Sequence, residues 1–248
     1  MGNRELIDSV DKSTYFSSDT SEDALNAPEE EEGTRDLGQL YPFVISGGTN
    51  TERFYFKYVT LVTPYKFNVK PEYFGGESNY TEVFSTKISQ ILEKNADAMI
   101  YCVFDWDTID KSNANLLKHQ NFVNKFQEQI EQGSVVICQT MPCIEYWFLL
   151  HFENYTARLK SYSKVSNLLA RYIRPYFPNA SGVKLSNLLK KEEYVNNSGW
   201  VEKLCADGKL EEAIKKAEEN VNDALANNQL DKVSYSFVYK VFKDQIKQ

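Results

Sequence analysis

The sequence predicts an α/β domain: a compact, mainly parallel sheet flanked by helices, with a helical C-terminal extension and an acidic N-terminal arm. Three observations predict it. From residue 41 to about 155, short apolar runs alternate with stretches of helical periodicity, the pattern of a parallel sheet whose crossovers are helices. Two of those runs, Ala98–Phe104 (AMIYCVF) and Ser134–Gln139 (SVVICQ), are almost continuously apolar, as suits central strands covered on both faces. Past residue 155 the apolar runs give way to polar, helix-periodic sequence.

Each element follows from its residues. Residues 1–40 are rich in Ser, Asp, Glu and Asn, with an acidic run at Glu29–Glu32, and read as a disordered or loosely docked arm. Pro42–Ser46 (PFVIS) reads as the first strand. Gly47 and Gly48 follow as a turn, Thr49, Asn50 and Thr51 are N-cap residues, and Glu52 favours a first helical turn through the backbone dipole. The helix runs to about Val62, with Phe54, Tyr58 and Leu61 at helical spacing. Lys66–Lys70 alternates like a strand, and Thr81–Asn95 gathers Val83, Ile88, Ile91 and Leu92 on one helical face. Asn113–Glu131 reads as a helix between the two central strands. Met141–Phe152 (MPCIEYWFLLHF) reads as a buried helix with Pro142 in its first turn. Lys164–Tyr172, Lys184–Tyr194 and Lys209–Asn227 are helices of the C-terminal part, with Pro175, Pro178 and Gly199 as breaks. The organisation is an arm over 1–40, an α/β core over 41–155 and a basic helical part over 156–248 packed on the core.

Composition excludes several classes. Sixteen Tyr and fifteen Phe supply material for a real core. No run approaches the roughly 20 consecutive apolar residues of a membrane span, and the N-terminus lacks a secretory apolar region, so a cytoplasmic protein is expected. Cys102, Cys138, Cys143 and Cys205 form no CxxC pair, and His119 and His151 are not at zinc-ligand spacing from them, so free buried thiols are expected. The net charge of −7 is uneven. Residues 1–40 carry eleven acids and three bases, 41–155 thirteen and nine, and 156–248 eleven and sixteen. That balance argues against a general nucleic-acid coat but leaves a local phosphate-binding face in the C-terminal part.

The chemistry concentrates at strand ends. Ligands of parallel α/β sheets bind beyond the carboxyl ends of the strands. Here the first strand ends near Glu52, the run Ala98–Phe104 at Asp105 and Asp107, and the run Ser134–Gln139 near Glu145. An extended Asp-x-Asp aims both carboxylates to one side, where they repel unless a cation lies between them. Magnesium suits such a site, because it takes oxygen ligands and usually only one or two carboxylates. The plainer alternative is a capping Asp beside a solvated one, and for Asp110 capping is the preferred role. Glu145 sits in an apolar aromatic segment, either paired with a donor or facing a metal or substrate. His151 reads as a packed histidine, with a base or phosphate contact as the alternative.

Val44–Phe56 (VISGGTNTERFYF), Val103–Asp107 (VFDWD) and Met141–Glu153 (MPCIEYWFLLHFE), in that order, resemble the RloB family, over roughly residues 41–230. The resemblance implies a Toprim-like fold and Mg²⁺- or Mn²⁺-dependent cleavage of nucleic acid, DNA or RNA such as tRNA, in antiphage, abortive-infection defence. Such sites place a Glu directly after the first strand, and that position here is Gly47, followed by Gly48. The family's Thr-Glu matches Thr51 and Glu52. Either Glu52 reaches back to replace the missing acid or the activity is lost or changed. The proposed metal set is Glu52, Asp105, Asp107 and Glu145, with His151 as a further catalytic candidate. Lys164, Lys184, Lys190 and Lys191 would contact the nucleic-acid backbone. A binding or sensor subunit that acts with a partner ATPase is the competing reading. Phosphoryl transfer of another class would need a nucleotide loop, and Gly47–Asn50 is too short and lacks the Walker lysine. Exposed aromatics in the C-terminal part would allow a homo-oligomer.

Overall fold

Side chains alternate across the central strands, and that alternation builds two cores. The computed structural model describes residues 41–48, 50–71 and 80–243; the acidic arm and Thr49 lie outside the described residues. In chain order the elements are β1 (Phe43–Ser46), α1 (Thr51–Val62), β2 (Asn68–Lys70), α2 (Tyr80–Lys94), β3 (Ile100–Asp105), α3 (Trp106–Ile109), α4 (Asn113–Lys125), α5 (Gln127–Glu131) and β4 (Val135–Met141). Then come α6 (Ile144–Leu150), α7 (Tyr162–Ile173), α8 (Leu185–Lys190), α9 (Glu192–Val195), α10 (Gly199–Cys205), α11 (Lys209–Ala226), β5 (Tyr235–Ser236) and α12 (Tyr239–Lys243). The sheet order is β2-β1-β3-β4-β5. The first four strands are parallel, and β5 joins β4 antiparallel through Thr140–Ser236 and Met141–Tyr235. The carboxyl ends of β1, β3 and β4 therefore lie on one side.

On one face Ile45, Ile100, Cys102 and Phe104 pack against Phe84, Ile88 and Ile91 of α2 and Phe122 of α4. On the other, Val44, Tyr101 and Val103 join a larger core with α1, α6 and the C-terminal helices. Its centre is aromatic: Trp147, Trp200, Tyr55, Phe148 and Phe242 are fully buried. Trp147 and Phe242 stack at 5.6 Å and 13°, and the Trp147 indole N–H donates to Tyr55 Oη at 2.8 Å. Burying each such side chain contributes on the order of 2 kcal/mol. The C-terminal helices thus complete the second layer of the α/β sandwich.

Local readings need correction in several places. Leu61 does not face the core but is 67% exposed; the buried surface of α1 is Phe54, Tyr55, Phe56 and Val59, because the helix packs between the sheet and α10. The single helix expected over 113–131 divides at Phe126, whose buried ring takes a non-helical backbone. That expected over 184–194 divides at Lys191, which is extended. Strand β4 continues to Met141, so Pro142 precedes α6 instead of opening it. Gly199 opens α10 and is not a break. None of the described C-terminal aromatics is exposed, since they stack within the helical layer, as Phe152 and Tyr172 do at 4.6 Å. Among the described residues no helix is long and apolar enough to cross a membrane.

Candidate active site

Four turns converge at the carboxyl edge of the sheet. After β1 the chain turns through Gly47, whose N–H extends the ladder to Val103 O at 2.8 Å. A Cβ on Gly47 would lie 3.1 Å from Phe104 Cβ, so a side chain there meets the neighbouring strand. A Cβ on Gly48 would fall on the Glu52 carboxylate. Glu52 therefore reaches back from the first turn of α1 and fills the space beside Gly48, at the end of β1. Glycine at 48 is what lets the carboxylate come so close.

Strand β3 ends on Asp105, whose Oδ1 accepts the Ile144 N–H at 2.7 Å. That bond satisfies one of the free amides at the start of α6. The next residues form the short turn α3, so Asp107 is helical and not extended. The expected alternation, with both carboxylates aimed to one side, does not hold for that reason. Asp107 N–H donates to Pro142 O at 3.1 Å, and its carboxylate lies 3.7 Å from Lys111 Nζ. Asp110 N–H bonds Trp106 O at the end of α3, while Ser112 caps α4 by accepting the Asn115 N–H at 3.2 Å.

Glu145 occupies the first turn of α6 and is 2% exposed. Opposite it, α8 ends at Lys190. The amide of Asn50 donates to Lys190 O at 2.7 Å and the Thr51 hydroxyl to Leu189 O at 2.5 Å. Neither side chain caps α1, the role their types suggest; both clasp the end of α8 and hold Lys190 over the site. Lys190 Nζ also lies 4.8 Å from the Tyr162 ring centroid.

These parts enclose a cavity of about 240 Å³ lined by Gly47, Gly48, Glu52, Asp105, Glu145 and Lys190, among others. Asp107 stands just outside it yet still raises the proton affinity of Asp105 and Glu145. Burial, opposed by its own backbone N–H and reinforced by Glu145, lifts the Glu52 carboxyl to about 7. Asp105 is pushed well above the usual carboxylate range by burial and then by Glu52 and Glu145. Glu145 is raised by burial too, against the Cys143 thiol, its own N–H and Lys190, which lower it. Three carboxyls share one small space, and their mutual repulsion favours either protons or a cation between them.

His151 is not brought to this cavity. It ends α6, in the aromatic core, with Nδ1 3.0 Å from Trp147 O and Nε2 buried without a partner among the described residues. Nor do Lys164, Lys184 and Lys191 line the cavity; only Lys190 of that set does. The clasp by Asn50 and Thr51, and the Ile144 amide on Asp105, carry no sequence signal beyond residue type.

Among the described residues no group of three or more His, Cys, Asp or Glu side chains converges as metal ligands. A cation here would rest on one or two carboxylates, with water and substrate phosphate completing its shell. The donors are all hard oxygens, and that arrangement is the usual one for magnesium. No curated protein and no solved structure matches the chain. The family model for RloB-like proteins matches residues 43–244, and the chain belongs to the RloB-like family.

Proposed function

We propose that the chain is a metal-dependent nuclease, a phosphodiester hydrolase acting on DNA or on RNA such as tRNA, in antiphage abortive-infection defence. The single observation that carries the chemistry is the meeting of Glu52, Asp105 and Glu145 in one cavity with Lys190. The defence role comes from the family resemblance. Asp105 and Glu52, with Glu145 behind them and Asp107 at the rim, would hold Mg²⁺ or Mn²⁺. When bound, such an ion neutralises phosphate charge and makes water more acidic.

The chain's own groups do the rest. Lys190 attracts the phosphate and offsets the acids facing it. Glu52 is lifted to about 7 by burial without metal, and a cation beside it would favour the ionised form that serves as a ligand. The Ile144 amide fixes Asp105, leaving its second oxygen for the ligand. Phe104 and Ile144 supply apolar lining that strengthens these charges.

The test is cleavage of plasmid, single-stranded DNA and tRNA with Mg²⁺ or Mn²⁺, by wild type and Asp105→Ala. Equal cleavage by the two proteins sinks the reading. A second reading is a Toprim-like binding or sensor subunit working with a partner ATPase. It is favoured by Gly47, which stands where the usual acid is expected and is crowded by Phe104. It requires a stable complex with the ATPase and no turnover by the isolated chain.

A further inference from the structure

A second cavity, of about 690 Å³, lies on the other side of α3. The turn α3 is a partition. Asp105 and Thr108 line the acidic cavity, whereas Trp106 and Asp110, one helical turn apart, line the second. The far wall comes from the C-terminal part: Arg158, Leu225, Asp231 and Tyr235. Its size is in the range of small-molecule sites.

The lining is chemically mixed in a particular way. Arg158 is half-buried, and among the described residues it has no hydrogen bond or ion pair. Asp110 and Asp231 share the cavity with it without pairing to it. Opposite charges left apart around one space suit a ligand that offers both donors and acceptors. Two apolar surfaces sit beside them. Leu225 is 51% exposed, and Trp106 is the one tryptophan of three that is not fully buried. The Gln139 amide donates to Tyr235 Oη at 2.9 Å, which leaves the phenol proton free to donate into the cavity.

We propose that this cavity receives an unstacked nucleotide of a single-stranded nucleic acid, next to the phosphate held at the acidic cavity. The base lies against Trp106 and Leu225, its edge meets Asp110, Asp231 and the Tyr235 hydroxyl, and Arg158 takes the neighbouring phosphate. Stacking on aromatic side chains with a cation nearby is how proteins hold bases without pairing. A base still paired in a duplex cannot enter, because its edge and both faces are occupied. The proposal rests on the nuclease reading for the position of the scissile phosphate. It sharpens that reading to single-stranded segments as substrate.

The experiment uses the full chain in EDTA, where no metal-dependent cleavage occurs. A short single-stranded oligonucleotide of mixed sequence, and the same sequence as a duplex, are titrated in. Binding is read by label anisotropy and by intrinsic tryptophan fluorescence, which Trp106 reports because Trp147 and Trp200 are fully buried. The expected result is quenching that saturates with the single strand and a duplex bound at least about tenfold more weakly. Arg158→Ala should weaken the single strand by about tenfold, the scale of one charge-assisted contact. Leu225→Glu, at an exposed position, should do the same and serves as the second variant. Equal affinity for duplex, an unchanged Kd in both variants, or binding without quenching overturns the proposal. If wild type cleaves nothing while quenching and its loss in Arg158→Ala hold, the nuclease reading falls and this site stands. Cleavage with no quenching gives the reverse.

Discussion

Helix α6 carries a buried titratable group at each end, and the two ends behave differently. Glu145 at its start and His151 at its finish are 2% and 3% exposed. Burial drives both toward the neutral form, lifting Glu145 and lowering His151 to about 3. Yet Glu145 faces a cavity with two more carboxylates and a lysine, while His151 packs edge-on to Trp147 at 5.0 Å. A shifted proton affinity is therefore not enough to mark a site. Open space and a second charged group next to it separate the acid from the histidine.

The largest effect expected from this contrast is on turnover. Asp105→Ala should lower metal-dependent cleavage by roughly 100-fold or more, since it removes a carboxylate proposed to hold the ion. His151→Phe should leave the rate within about threefold, because a volume-conserving change in the aromatic core does not reach the cavity. Comparable losses in the two, measured as initial rates on one substrate, would erase the distinction.

Next comes stability against pH, where His151 and the carboxyl cluster that Glu145 faces have opposite signs. His151 falls from 6.5 to about 3 on folding, so between those values the unfolded chain binds more protons. Stability is full above about 6.5 and drains as pH drops toward 3, by up to on the order of 5 kcal/mol. Glu52 rises from 4.5 to about 7, so the folded chain binds more protons in that window. Its contribution is full below about 4.5 and is lost as pH climbs through 7, by up to on the order of 3 kcal/mol. His151→Phe should flatten the acid limb of Tm against pH, and Glu52→Gln the limb between 5 and 8. Thermal melts of the three proteins in EDTA from about pH 3 to pH 8 check both signs.

Metal should act at one end only. Mg²⁺ or Mn²⁺ should raise Tm, more at pH 8 than at pH 6, because protons compete for the same carboxylates. The rise should vanish in Asp105→Ala and survive in His151→Phe. A metal effect that is flat with pH, or retained without Asp105, would detach the cation from this cluster.

The sequence makes the sheet legible because its strands are buried on both faces, which leaves continuous apolar runs such as AMIYCVF. The order of acids at strand ends is legible for the same reason. What sequence does not carry is side-chain direction over a turn. Asp107 sits two residues from Asp105, but the chain coils at Trp106, and only Asp105 lines the cavity. Glu52 is five residues beyond Gly47 and still arrives at the β1 end, because Gly48 leaves its carboxylate room. Strand β5 is two residues long, too short to leave a periodic trace, and it is held by register with Thr140 and Met141. Lys190 reaches the cavity through contacts from 138 and 140 residues away in sequence. Such a clasp depends on tertiary packing alone.

The smallest predicted effect concerns that clasp. Lys190 lowers the proton affinity of both Glu52 and Glu145. Lys190→Ala should therefore move the midpoint of the Glu52-dependent limb in the Tm profile upward, and shift the pH at which Mg²⁺ begins to stabilise in the same direction. Substrate affinity should fall by roughly threefold to tenfold, since one partly solvated phosphate contact is lost. Thr51→Val should produce a weaker copy of the same phenotype. It removes the hydroxyl that binds Leu189 O and leaves the lysine in the chain but less firmly placed. If Thr51→Val changes stability without moving the pH midpoint, the clasp supports the fold only and does not set the charge of the site.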